Sequence, residues 1–243
     1  MKNKNVHGVY IVACLLGIQA HAIGQIPGFC FLEHGAWSQP SMAIEHWSMF
    51  DALATSFASP VGESMHVRTD ALLINSALSL QGMWGHEIPI GEREWMALYG
   101  GARRQGFSVE ESASWSVLCR VEGLMTTGEN TLHPFIEWSS PMLSSVDQLA
   151  ANLRFGGVFT RPFRRGEMQV FWQWLEPAWT LEVRVFFRIN DAIELGFSGQ
   201  WQPRIWGLNC RFSLAGCTAD VGLAPVPLGG WRTRWVHSKK VES

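Results

Sequence analysis

The residues of this chain that could do chemistry are charged and polar side chains that recur at every second position. Within residues 179–190, WTLEVRVFFRIN, carboxylates and guanidinium groups alternate with apolar side chains. Groups of this kind form charge-assisted hydrogen bonds with one another or bind a polar solute, and none is a nucleophile beside a base. Two interpretations stay open, a structural network that fills an interior or a ligand site. The candidate lumen-facing residues are Glu182, Arg184, Arg188, Asn209, Arg211 and Asp220.

Motifs of enzyme chemistry are missing from the sequence. It contains no GxSxG, HExxH, Walker loop, GxGxxG or EF-hand pattern, and no Cys/His spacing typical of a metal site. We therefore expect no catalytic residues, no metal, no cofactor and no enzyme activity. The 19 Lys+Arg are balanced by 21 Asp+Glu, which argues against a nucleic-acid partner.

The elements that carry these charges are predicted to be long β-strands. At a helical period Glu182 and Arg184 would lie roughly 200° apart, and no apolar stripe would form. At a period of two, one face is apolar and the other polar. The alternation from Trp179 to Ile189 exceeds the 5–6 residues usual in soluble sheets and matches the roughly 9–11 that cross a bilayer.

The N-terminus has the pattern of a secretory signal peptide. Lys2 and Lys4 precede a short apolar run at 9–18, and Ala20-His21-Ala22 supplies the small residues expected before cleavage. We predict a signal peptide over residues 1–22. A lipoprotein box ending at Cys14 is the alternative. Later segments contain no run of 18 apolar residues, so a membrane form of this chain must be a barrel.

Domain organisation follows from where the alternation begins. Residues 23–65 are predicted as a loop and helix segment, which either enters the barrel or lies on a sheet as an amphipathic helix. Residues 66–237 are predicted as the barrel and 238–243 as a tail. Roughly 16 residues for each strand and turn allow about 10–12 strands, an even number as closure favours. The predicted fold is therefore an all-β, antiparallel transmembrane β-barrel.

Indole side chains recur near the ends of the predicted strands. The chain has 13 Trp and 14 Phe but only 2 Tyr. Aromatic residues at strand ends are typical of the girdle that a barrel places at the membrane surface. The predicted interface residues are Trp95, Trp115, Trp138, Trp179, Trp201, Trp206, Trp231 and Trp235.

Four cysteines follow the predicted cleavage site. Cys210 and Cys217 flank a predicted turn and are the candidate disulfide, while the alternative is that they are two small apolar residues on strands.

The C-terminal part of the chain resembles a known family. Residues 194–230 contain the turn and aromatic-Gly strand QPRIWG at 202–207 and the segment PVPLG at 225–229. These are similar to the closing strands of the PorV/PorQ-type outer-membrane barrels of Bacteroidetes, relatives of FadL-like fatty-acid channels. The segment HWSMFDALATSFASP at 46–60 is similar to their N-terminal segment. The chain is shorter than the 14-stranded members.

The resemblance implies a non-enzymatic outer-membrane protein. Such proteins work in type IX protein secretion and surface attachment, so the expected role is a structural or accessory subunit of a secretion or cell-surface assembly. The expected partners are outer-membrane lipid and other envelope proteins. Two alternatives are a FadL-like channel for small hydrophobic molecules and a periplasmic β-sheet protein that caps a partner channel.

Overall fold

The computed structural model describes residues 41–48, 52–74, 77–106, 114–143, 152–175, 178–201, 204–214, 217–225 and 231–239. These residues form fourteen β-strands and no helix. The strands are β1 (Ser41–Trp47), β2 (Ala52–Pro60), β3 (Met65–Ile74), β4 (Ala77–Pro89), β5 (Trp95–Gly106), β6 (Ser114–Thr127), β7 (Asn130–Leu143), β8 (Asn152–Phe163), β9 (Gly166–Leu175), β10 (Ala178–Arg188), β11 (Ile193–Gln200), β12 (Ile205–Leu214), β13 (Cys217–Pro225) and β14 (Trp231–Lys239).

The strands form one closed antiparallel barrel. Each strand pairs with its neighbours in sequence, and β1 pairs with β14 to complete the ring. The closing register places Ala43 opposite Val236. Among the described strands, closure leaves no free edge strand. The predicted antiparallel barrel is confirmed.

The two rims of the barrel differ. The terminal rim, where β1 begins and β14 ends, carries connections of two to five residues, such as 90–94 and 128–129. The opposite rim, here the loop rim, carries the two longest connections, 107–113 and 144–151.

The predicted strand number and N-terminal boundary are wrong. The barrel has fourteen strands rather than 10–12, because β1 and β2 precede the region predicted as barrel and add to the twelve strands, β3–β14, that the region contains. β1 and β2 lie within the segment predicted as loop and helix. Their inward positions hold small residues such as Ala43 and Ala54, so hydropathy does not alternate there.

Of the remaining domain predictions, only the C-terminal boundary of the barrel can be compared with the described residues. Residues 238 and 239 continue β14 rather than forming a tail. The predicted signal peptide at 1–22 and residues 23–40 lie outside the described residues. Among the described residues, no helix has the length and apolar character needed to cross a membrane.

The two faces of the wall have opposite chemistry. On β10, Glu182 and Arg184 point inward and are 1% and 2% exposed. Trp179 and Phe187 on the same strand point outward and are 43% and 45% exposed. This inverts the arrangement of a soluble protein, in which charged side chains face water and apolar ones are buried.

Glycines allow aromatic side chains to lie flat against the wall. Tyr99 on β5 is 4% exposed and covers Gly85 on β4 inside the barrel. A Cβ atom on Gly85 would lie 2.0 Å from the Tyr99 ring. Gly85 therefore has a packing role that no larger residue can take without displacing the ring.

Candidate functional site

The barrel interior holds three clusters of ion pairs, of which the first is centred on Glu137. This carboxylate on β7 accepts hydrogen bonds from Arg154 at 2.7 Å, Arg103 at 3.0 Å and Arg120 at 3.3 Å. Arg103 lies on β5 and Arg154 on β8, so one carboxylate joins several strands of the wall. We name Glu137 and its three arginines the Glu137 cluster.

The wall next to this cluster continues the network. Arg120 donates to Glu122 at 2.8 Å, and Arg68 forms an ion pair with Asp70 at 3.0 Å. Asp70 also accepts a hydrogen bond from Ser56. The arginine and the carboxylate of each of these two pairs are two residues apart on one strand. Side chains at that spacing point to the same face of the strand, so the two groups meet inside the barrel.

The second cluster, the Glu182 cluster, crosses the barrel. Glu182 on β10 pairs with Arg184 at 2.8 Å, and with Arg234 and Arg232 on β14 at 3.4 Å and 3.6 Å. Arg234 also donates to Asn209 at 2.8 Å. Since β10 and β14 are not neighbours in the ring, these contacts span the lumen.

The third cluster, the Arg211 cluster, lies towards the terminal rim. Arg211 on β12 pairs with Asp220 at 2.7 Å, with Glu194 at 3.2 Å and with Glu167 on β9. Arg188 pairs with Glu194 at 3.5 Å and is the outermost member, with a side chain 57% exposed.

Each cluster also contains an arginine that lies over an aromatic ring. Arg120 lies 4.2 Å from the centroid of Phe135, Arg184 lies 4.1 Å from Phe171, and Arg211 lies 4.0 Å from Phe186. The ring faces attract the guanidinium charge and replace water that the buried groups have lost.

Side chains of these clusters are buried inside the barrel. Arg68, Arg120 and Glu182 are each at most 1% exposed. Val236 on β14 packs against a buried group on β7–β9 that includes Phe171. Buried charges are strongly unfavourable unless paired, and the ion pairs between these arginines and carboxylates offset part of that cost.

The predicted lumen-facing residues are placed together by the structure. Glu182, Arg184 and Asn209 belong to or contact the Glu182 cluster, and Arg211, Asp220 and Arg188 form the other end of the network. Sequence reasoning missed the whole Glu137 cluster and the β14 arginines. The sequence signal for these residues is charged side chains at every second position, as in Arg120/Glu122 and Arg232/Arg234. In these strands the alternation of charged and apolar residues extends over fewer positions than in β10.

The predicted interface tryptophans lie mostly at the loop rim. Exposed indoles at that end of the strands are Trp115, Trp138, Trp179, Trp201, Trp206 and Trp231. Trp95 departs from the prediction because it points inward at the terminal rim and contacts His133, with ring centroids 5.2 Å apart. Trp235 lies on the outer face within β14, half-buried and stacked on His237.

The predicted disulfide is wrong. Cys210 lies opposite Val221, whereas Cys217 lies opposite Leu214, and both cysteines are free. Four residues of strand separate the two positions, about 13 Å at 3.3 Å per residue, whereas bridged Cα atoms lie within about 7 Å.

Among the described residues, no three His, Cys, Asp or Glu side chains are grouped to hold a metal ion. The interior carboxylates described above are committed to arginines. These ion pairs join different strands of the barrel wall to one another through its interior.

One comparison with a solved structure supports the fold. The outer membrane protein Omp33 of Acinetobacter baumannii matches with a TM-score of 0.51 and 5% identity, over 83% of this chain and 96% of that one. The KdgM porin matches with a TM-score of 0.45 and 7% identity, over 84% and 99%. CdiB from Acinetobacter baumannii matches with 0.46 and 8%, over 82% and 59%. No family model and no curated protein matches the chain. The class defined here is the closed antiparallel β-barrel of fourteen strands.

Proposed function

We propose that this chain is a non-enzymatic outer-membrane β-barrel that serves as a structural or accessory subunit of a cell-surface or secretion assembly. The observation that carries the proposal is the combination of a buried, ion-paired interior with an exposed apolar exterior. The first property makes the barrel a rigid body, and the second requires a hydrocarbon environment.

The exterior supports a membrane location. Large apolar side chains are exposed around the wall, among them Leu98 at 47%, Ile136 at 46% and Phe197 at 60%. A contiguous apolar surface of this kind is not tolerated in water, whereas lipid accepts it. The belt of indoles at the loop rim matches the position that tryptophan takes between hydrocarbon and water.

The orientation follows from the rims. Outer-membrane barrels have short periplasmic turns and longer extracellular loops. The terminal rim, with connections of two to five residues, is therefore assigned to the periplasm and the loop rim to the cell surface.

The interior favours an accessory role over a transport role. A route for small hydrophobic molecules needs an apolar passage, but the middle of this lumen contains Arg120, Glu182 and Arg184, all at most 2% exposed. The type IX secretion role is supported by the resemblance of residues 202–207 and 225–229 to PorV/PorQ-type barrels. Its partners are then other envelope proteins.

Two measurements test the proposal. Fractionation of cells should place the protein in the outer membrane, with migration in a detergent gel that changes on heating, as closed barrels show. In planar bilayers the purified protein should give no stable conductance steps above the lipid background. Recovery in the soluble periplasmic fraction would contradict the membrane location, and regular open-channel steps would contradict the accessory role.

The secretion role needs its own experiment. In a strain lacking this chain, surface-attached cargo should accumulate in the periplasm, and its export should return with the wild-type gene. Uptake of long-chain fatty acid should be the same in both strains. Loss of uptake with normal cargo export would favour the channel alternative.

A further inference from the structure

The outer wall of the barrel carries a groove over β1–β6. It has a volume of about 620 Å³ and lies towards the loop rim. Its floor is formed where small residues fall in one register row, Thr69 opposite Gly82 and Gly82 opposite Ala102. Bulky apolar side chains, Phe57 and Leu80, stand beside this floor and are 44% and 41% exposed.

An arginine borders the groove on the outer face. Arg104 on β5 lies opposite Leu80 on one side and Trp115 on the other, and both of these side chains point outward. The inward neighbour Arg103 is bonded to Gln81 and Glu137. Arg104, in contrast, makes no hydrogen bond or ion pair with any described residue, although it is half-buried among the groove residues.

The position of Arg104 suits a head group rather than the hydrocarbon. It shares its register level with Trp115, which belongs to the indole belt at the loop rim. A cation on the lipid-facing side is tolerated near the interface, where a long side chain can reach polar groups. An unpaired guanidinium there is complementary to a phosphate, which it binds through two parallel hydrogen bonds.

We infer that this groove is a binding site for a membrane lipid with an anionic phosphate head group, whose phosphate pairs with Arg104 and whose acyl chain lies on the Thr69–Gly82–Ala102 floor. The two features are complementary, since a charge sits at the interface end and an apolar depression runs from it into the membrane. The inference rests on the membrane location proposed above.

The test is native mass spectrometry of the purified, folded barrel with defined lipids. Dioleoylphosphatidylglycerol should bind at least fivefold more tightly than dioleoylphosphatidylcholine, which has the same chains without net charge. Arg104→Gln should remove that preference. Arg161→Gln is the matched control, because Arg161 is exposed on the outer face near the opposite rim. It should leave the preference unchanged.

A second pair of variants tests the acyl-chain floor. Gly82→Leu places a bulky side chain on the groove floor, where a Cβ atom on Gly82 meets nothing within 4 Å. It should weaken phosphatidylglycerol binding at least fivefold. Gly100→Leu is its control, since Gly100 is equally open but lies outside the groove. That variant should bind like the wild type.

The outcomes separate the alternatives. Equal binding of the two lipids, or an unchanged preference in Arg104→Gln, overturns the inference. Full competition by millimolar inorganic phosphate would show an anion site without a lipid site and also overturns it. A dimer that is lost in Gly82→Leu would assign the groove to a second copy of the chain. Heat-modifiable migration first shows that each variant is folded. Fractionation tests the membrane location separately, so a failure of that proposal is distinguished from a failure of lipid binding.

Discussion

Arg184 donates from Nε to the Glu182 carboxylate, two residues earlier on the same strand, at 2.8 Å, and both side chains are at most 2% exposed. The pair also meets two arginines of β14 across the lumen. Glu182 therefore pairs both with a neighbour on its own strand and with residues of β14, about fifty positions later in the sequence. The charged residues on the inward face of β10 thus connect two strands across the lumen.

A double-mutant cycle on this pair should show strong coupling. Glu182→Gln leaves three buried arginines without their shared carboxylate, and we expect it to lower the free energy of unfolding by about 3–5 kcal/mol. Adding Arg184→Gln should cost less than the two single changes together, with a coupling of about 0.5–3 kcal/mol. Guanidinium chloride unfolding in lipid vesicles, followed by indole fluorescence, measures each variant. Strict additivity would show that the two groups act independently.

Sequence reasoning succeeded where the alternation is strong and failed where small residues blur it. On β10, charged residues alternate with Val, Phe and Trp, so the sequence predicts which side chains point inward and which point outward. On β1 and β2, Ala43, Ala54 and Ala58 point inward, and alanine scores as apolar although it faces a polar lumen. The two additional strands were missed for this reason, whereas the twelve strands from Met65 onward agree with the upper end of the expected number.

Contacts across the lumen could not be predicted from the sequence at all. Which residue of β14 meets β10 depends on strand tilt and stagger in the closed ring, quantities set by the whole barrel. The same applies to the cysteines. Cys210 and Cys217 lie on the adjacent strands β12 and β13, but the register places Cys210 opposite Val221.

Thiol chemistry should confirm that Cys210 and Cys217 are unpaired. We expect the folded protein to migrate identically in reducing and non-reducing gels, and both thiols to react with maleimide after unfolding without a reductant. Peptide mass mapping identifies the modified positions. A tryptic species linking the two residues before reduction would contradict the register.

Replacing Gly85 should destabilise the barrel much more than replacing Gly82. A methyl group at Gly85 would lie 2.0 Å from the Tyr99 ring, so we expect Gly85→Ala to cost about 1–3 kcal/mol through overpacking. Gly82→Ala meets nothing within 4 Å, and it should be neutral or stabilising by about 0.5–1 kcal/mol because the unfolded chain loses freedom. Matched unfolding curves in vesicles compare the two. Equal effects would refute the proposed role of the Tyr99 ring.

A charge in the middle of the outer wall should be far more damaging than one at a rim. Ile136 lies midway along β7, points outward and is 46% exposed. If lipid surrounds it, Ile136→Arg should cost about 2–4 kcal/mol, because the guanidinium must enter hydrocarbon. Leu214, the last residue of β12, is 78% exposed at the terminal rim, and Leu214→Arg should have little effect because its charge reaches water. Unfolding in vesicles measures the two costs. If water bathed this face, Ile136→Arg would be tolerated as well as the rim variant, and a membrane-spanning wall would be ruled out.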